Sequence, residues 1–113
     1  MTELDLVIKD IIKGSGKVAV KGALLVVHYE GRLEDGSKFE SSSDKGRPFE
    51  FVIGSGRVIK GWDLGVMGMK EGGRRTLFVP AHLGYGERQI GEKIPPHSNL
   101  YFTIELLEVR TRD

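Results

Sequence analysis

The residue types that do covalent or acid-base chemistry are present in this chain, but they are not spaced for it. His28, His82 and His97 have neither mutual metal-ligand spacing nor ligating neighbours, and read as surface or strand histidines. Ser41, Ser42 and Ser43 lie outside any G-x-S-x-G elbow, so no hydrolase nucleophile is marked. The segment GSGRVIKG at 54–61 completes neither a phosphate-binding loop nor a dinucleotide fingerprint. With no cysteine in the chain, thiol catalysis, thiolate metal sites and disulfides are excluded. No metal and no cofactor is expected. What stands out is a set of rings, Tyr29, Phe39, Phe49, Trp62, Tyr85 and Phe102, drawn from different parts of the chain. Brought together, they would make an apolar cavity that works by binding. They would serve equally as the core of a small domain, and composition does not separate the two.

The stretch that must position these rings is 58–73, which carries the one tryptophan and follows the turn Gly54-Ser55-Gly56. Val58, Trp62, Val66 and Met69 fall at helical spacing, and the spacing predicts an apolar face of about three turns. Gly61, Gly65 and Gly68 make a second stripe. Each costs a helix interior about 0.5–1 kcal/mol, so bare helix surface there predicts close approach by a neighbour.

Around this segment the chain reads as strands. Leu4, Leu6, Ile8 and Ile11 predict a first strand ending at Lys13-Gly14-Ser15-Gly16. Leu24–Leu33 predicts a second, with Leu25, Val27 and Tyr29 on one face and Val26, His28 and Glu30 on the other. Glu34-Asp35-Gly36 supplies a hairpin turn into a strand over 38–42, and a polar stretch to Gly46 reads as a loop or bulge. Phe49, Phe51 and Ile53 resume the alternation after Pro48, and residues 74–79 alternate until Pro80. Residues 81–97 predict a long exposed loop, stiffened at its end by Ile94-Pro95-Pro96. Leu100, Phe102, Ile104 and Leu106 form the cleanest alternation, and Leu107 with Val109 changes phase as a bulge requires. That strand should be central and buried.

At 113 residues the chain is long enough to bury its own core, and residues 1–113 are read as one domain. Sixteen glycines, about twice ordinary usage, favour tight turns and close strand packing. The start, MTELDLVIKD, is acidic where a signal peptide is basic, and no stretch approaches membrane length, so a cytoplasmic protein without membrane partners is expected. Seventeen basic and sixteen acidic residues leave a net charge of +1, without the basic footprint that nucleic acid needs.

HYEG at 28–31, LEDGSKFESS at 33–42, PFEFVIGSGRVIKGWDLGVMGMKEGG at 48–73, LGYG at 83–86 and IPPHSNLYFTIELLEV at 94–109 together resemble the FKBP-type peptidyl-prolyl cis/trans isomerases, the tacrolimus- and rapamycin-binding family. The resemblance runs in order along nearly the whole chain. It implies an α+β fold in which a half-wrapped antiparallel sheet of five to six strands packs over one short helix. It also implies an isomerase acting on Xaa-Pro bonds of unfolded or flexible polypeptide, binding the same macrolides and working as a monomer. Trp62 would floor the pocket, with Phe39, Phe49, Val58, Ile59, Ile94 and Phe102 as walls. Tyr29, Glu40, Tyr85 and Phe102 would stand at the reacting amide. The Tyr85 hydroxyl and Ile59 N–H would donate to ligand carbonyls. Two positions depart from the family: Glu40 stands where aspartate is usual, and Lys93 replaces an apolar residue, putting a cation at the expected pocket rim. The same pocket, with the loop 81–97, would also suit a proline-binding or chaperone-like module without turnover.

Overall fold

The computed structural model describes residues 4–111. Met1–Glu3, where the acidic start used against a signal peptide begins, lie outside the described residues, as do Arg112 and Asp113. Among the described residues, strands β1 (Val7–Ile12), β2 (Leu24–Leu33), β3 (Lys38–Ser41), β4 (Phe49–Val52), β5 (Arg74–Val79) and β6 (Leu100–Arg110) form one sheet, with a single α-helix, α1 (Lys60–Gly65), between β4 and β5. The order is β1-β5-β6-β2-β3, and every pairing is antiparallel. β3 and β4 share one edge of β2: β3 pairs with Glu30, Gly31 and Arg32, and β4 with residues 24–27. The polar stretch after β3 is the break between these two half-strands.

β6 lies between β5 and β2, as its alternation predicts, and buries Leu100, Phe102, Ile104, Leu106 and Val109. The phase change is a bulge: Val26 faces Glu108 while Val27 faces Leu106, leaving exposed Leu107 as the extra residue. The first strand differs from its reading. It begins at Val7, and all its residues are exposed, because it is an edge strand held only by β5.

The three-turn helix is not formed. α1 is six residues long, and Gly68 at φ +85° takes the chain out of the helical region before Met69. Val66 and Met69 are still buried, Met69 beyond the helix in a turn whose carbonyl accepts from Ala19 N–H at 2.7 Å. So short a helix is marginal by itself in water and depends on its packing. The glycine stripe supplies that at two of its three positions. A Cβ on Gly61 would sit 2.5 Å from Val79 Cγ1, and one on Gly65 would sit 2.8 Å from Leu77 Cδ1. Gly68 has open space around it and is needed for its backbone angle instead.

Buried Arg75 on β5 closes the other end of α1. Its Nη1 donates to the carbonyls of Gly65 at 2.9 Å and Met67 at 3.1 Å, while Nε donates to Asp10 on β1 at 2.7 Å. One guanidinium thus satisfies carbonyls that a helix terminus leaves orphaned and ties the edge strand down.

Candidate active site

The residues facing α1 from the sheet enclose a cavity of about 400 Å³, a size that admits a small ligand. Trp62 lies at its floor, 4 % exposed, with Tyr29 and Phe102 edge-on at centroid distances of 5.0 and 5.3 Å. Phe49 meets it at 5.9 Å, and Phe39 stands edge-on to Phe102 at 5.7 Å. These are the edge-to-face arrangements that aromatic quadrupoles favour. Of the ten residues assigned from the sequence, nine line the cavity: Tyr29, Phe39, Glu40, Phe49, Val58, Ile59, Trp62, Tyr85 and Phe102.

Ile94 does not. It exchanges backbone hydrogen bonds with Ile90, at 2.9 and 3.2 Å, and its side chain is 5 % exposed within the core. That exchange closes a small loop of its own. Lys93 lines an adjoining hollow that shares Phe39, Glu40 and Lys45 with the main cavity.

Local structure explains how the rings reach the cavity. Gly31 faces Glu40 and Arg32 faces Lys38, so Phe39 is the extra residue of a bulge that re-aims its side chain. Gly31 makes room for it, since a Cβ there would lie 2.5 Å from Phe39 Cζ and 2.9 Å from Phe102 Cε1. The turn before α1 is pinned by Asp63, whose Oδ1 accepts from Gly54 N–H at 2.8 Å and whose Oδ2 accepts from Gly56 N–H at 3.0 Å. This fixes the entry of Val58 and Ile59. On the opposite side, buried Ser42 accepts from Tyr29 N–H at 2.8 Å, and its own N–H donates to Tyr29 carbonyl at 3.0 Å. The loop 81–97 is internally bonded, with Gly86 N–H donating to Ala81 at 2.8 Å and His97 N–H to Gly86 at 2.8 Å, which seats Tyr85 between them.

The polar side chains that line the cavity are Tyr29, Glu40, Lys45, Arg57, Tyr85 and Arg88. The Tyr29 hydroxyl donates to Glu40 Oε1, and Lys45 Nζ lies 3.5 Å from Glu40 Oε2, so the longer carboxylate keeps both neighbours. Burial, and secondarily the Glu40 charge, push the Tyr85 phenol above its ordinary value, so it remains a protonated donor at neutral pH. Among the described residues, three donors around the cavity have no acceptor: the Tyr85 hydroxyl, Ile59 N–H and the buried Trp62 Nε1. No group of three or more His, Asp or Glu side chains among the described residues could hold a metal. The cavity can therefore bind an apolar group with one or two adjoining carbonyls, and orient it.

Sequence reasoning missed several contributors. Phe51, 5.5 Å from Trp62, supports the floor and was legible from its alternation with Phe49. Asp63 carries no sequence signal beyond its place after the glycine turn. Gly31 was legible as a glycine inside a strand, which marks close approach. Arg57 and Arg88 also line the cavity; Arg57 lies within the 48–73 motif without a role read for it, and Arg88 lies outside every motif.

The comparisons agree with this geometry. Residues 16–107 match the family model described as FKBP-type peptidyl-prolyl cis-trans isomerase. The chain is 54 % identical over 104 residues to an FK506-binding protein of Neisseria meningitidis serogroup A, covering 92 % of this chain and 95 % of that one. It is 51 % identical over 92 residues to the human peptidyl-prolyl cis-trans isomerase FKBP2, covering 81 % of this chain and 65 % of the relative. The fold is similar to the crystal structure of AtFKBP13, with a TM-score of 0.85, 46 % identity and coverage of 94 % and 93 %. It is also similar to that of FkpA from Escherichia coli, with a TM-score of 0.85 at 37 % identity, spanning 93 % of this chain and 48 % of FkpA. An aromatic cavity over a lone tryptophan, a matching family model over most of the chain and relatives above half identity lead to one assignment: the chain belongs to the FKBP-type peptidyl-prolyl cis-trans isomerases.

Proposed function

We propose that this isomerase turns over Xaa-Pro bonds in the cavity above Trp62, by holding the proline ring against the indole and disfavouring the planar amide. The observation that carries the reading is the cavity itself, walled by rings and aliphatic side chains and bordered by donors that lack acceptors. The barrier to rotation, about 18–20 kcal/mol, comes from amide resonance, so lowering it requires no covalent bond to the protein. The planar amide is the charge-separated form, which water stabilises; the twisted form has lost much of that polarity. An apolar cavity takes water from the first more than from the second, which is the differential binding catalysis needs. Each 1.4 kcal/mol of difference is worth about tenfold in rate.

In this reading the Tyr85 hydroxyl and Ile59 N–H donate to carbonyls flanking the proline, fixing orientation without transferring protons. Glu40 holds the Tyr29 ring through its hydroxyl and keeps that wall upright. The cavity is complete within one chain, which supports action as a monomer. Tacrolimus and rapamycin, whose class appears in the Neisseria relative's name, are the proposed competing ligands.

The test is a protease-free isomerisation assay on a tetrapeptide with an apolar residue before proline, run alongside Trp62 fluorescence. Acceleration proportional to protein, with tacrolimus abolishing it over the range in which it perturbs fluorescence, is expected. Negligible acceleration at micromolar protein despite saturable fluorescence change would favour a binding module, and no fluorescence response would contradict the site.

A further inference from the structure

The mouth of the cavity is more basic than the chain that forms it. The whole sequence carries a net charge of +1, yet the cavity is lined by Lys45, Arg57 and Arg88 against a single carboxylate, Glu40. That carboxylate is already engaged by the Tyr29 hydroxyl and Lys45. Arg57 and Arg88 are exposed, and among the described residues neither side chain has an acidic partner. The adjoining hollow adds exposed Lys93, again without a partner among the described residues, while its other lysines, Lys38 and Lys45, are paired with Asp44 at 2.7 Å and with Glu40 at 3.5 Å.

Placement gives these charges meaning. Arg57 immediately precedes Val58 and Ile59, and Arg88 follows Tyr85 by one turn, its N–H donating to the Tyr85 carbonyl at 3.1 Å. Each cation therefore stands beside one of the donors assigned to the backbone flanking proline. A polypeptide leaving the cavity on either side passes an unpaired guanidinium. Resting on the isomerase reading above, we infer that this protein favours Xaa-Pro segments that carry acidic residues within about two positions of the proline, and that Arg57 and Arg88 set that preference.

The expected size follows from exposure. A unit charge about 8 Å from each of two solvent-exposed cations changes association by about 3- to 10-fold at low salt, and screening with a Debye length of about 3 Å at 1 M removes most of it.

The experiment compares tetrapeptides with leucine before proline and Glu, Gln or Lys on either side of the Leu-Pro pair, termini blocked. At low ionic strength kcat/KM should rank Glu above Gln above Lys, with about 3- to 10-fold at each of the two steps, each shrinking below about twofold in 1 M NaCl. The double variant Arg57→Gln/Arg88→Gln should lose most of the span. The readout is the Glu-to-Lys ratio within each protein, so a general loss of activity or folding cancels. Equal rates across the set, the reverse ranking, or a span unchanged in the double variant would overturn the inference. The Gln peptide on the unmodified protein reports the isomerase reading separately. Should it not be turned over, the same ranking read as Kd through Trp62 fluorescence decides the preference alone.

Discussion

At the scale of single residues, the cavity asks each ring to occupy one orientation, and small residues secure it as much as large ones. Gly31 leaves the space that Phe39 and Phe102 fill, so Gly31→Ala forces those rings apart by the 2.5 and 2.9 Å approaches of the added Cβ. The expected cost is about 1–3 kcal/mol of stability with a larger fractional loss of turnover, checked by urea denaturation beside the isomerisation assay. The electrostatics of the site are testable at Tyr85. Its phenol is raised first by burial and then by the Glu40 charge, so Glu40→Gln should bring its titration back toward the ordinary value without abolishing the shift. Absorbance titration of the phenolate, compared with a Tyr85→Phe variant to isolate the signal, checks this. The rings were legible in the sequence because family motifs carried them. Ile94 came from a motif as well but does not line the cavity, and its backbone exchange with Ile90 has no side-chain pattern that a sequence shows.

At the scale of elements, α1 is short and borrows its stability from what it touches. Asp63 holds the Gly54–Gly56 turn through two amides, and that turn sets where Val58 and Ile59 enter the cavity. Asp63→Ala should cost about 1–3 kcal/mol and raise KM for a tetrapeptide more than it lowers kcat, which steady-state kinetics would resolve. The strands over 24–33 and 74–79, and β6 with its bulge, were readable because period-two alternation is a direct record of which face is buried. The helix length was not. Val66 and Met69 keep helical spacing and are buried, but Gly68 turns the chain between them, and a positive φ leaves no mark on apolar periodicity. The edge position of β1 was likewise hidden, because alternating apolar residues do not say whether a second layer covers them.

At the scale of the whole molecule, the sheet carries the site on the face toward α1 and its acid sensitivity at its seams. Glu71 accepts from Val109 N–H at 2.7 Å and Lys17 N–H at 3.1 Å, joining the chain before β2 to the end of β6. Those two bonds, Val109 first, hold its carboxyl below the ordinary value, as the Arg75 hydrogen bond does for Asp10. A lowered folded pKa contributes stability that is complete above the unfolded value and is lost as pH falls through the folded one, so the window lies below about pH 4. Glu71→Gln should therefore be less stable than the unmodified protein at pH 7, with the difference closing as pH drops toward 3, as urea midpoints would show. The central claim, that an apolar cavity lowers the barrier by disfavouring the planar amide, is tested most directly at Phe102, which lines the cavity beside Trp62. The measurement is protease-free kcat/KM of Phe102→Tyr on a Leu-Pro tetrapeptide, with its melting temperature taken in parallel. The account predicts that the added hydroxyl lowers kcat/KM by about tenfold while the fold is retained. A folded variant with undiminished turnover would contradict it.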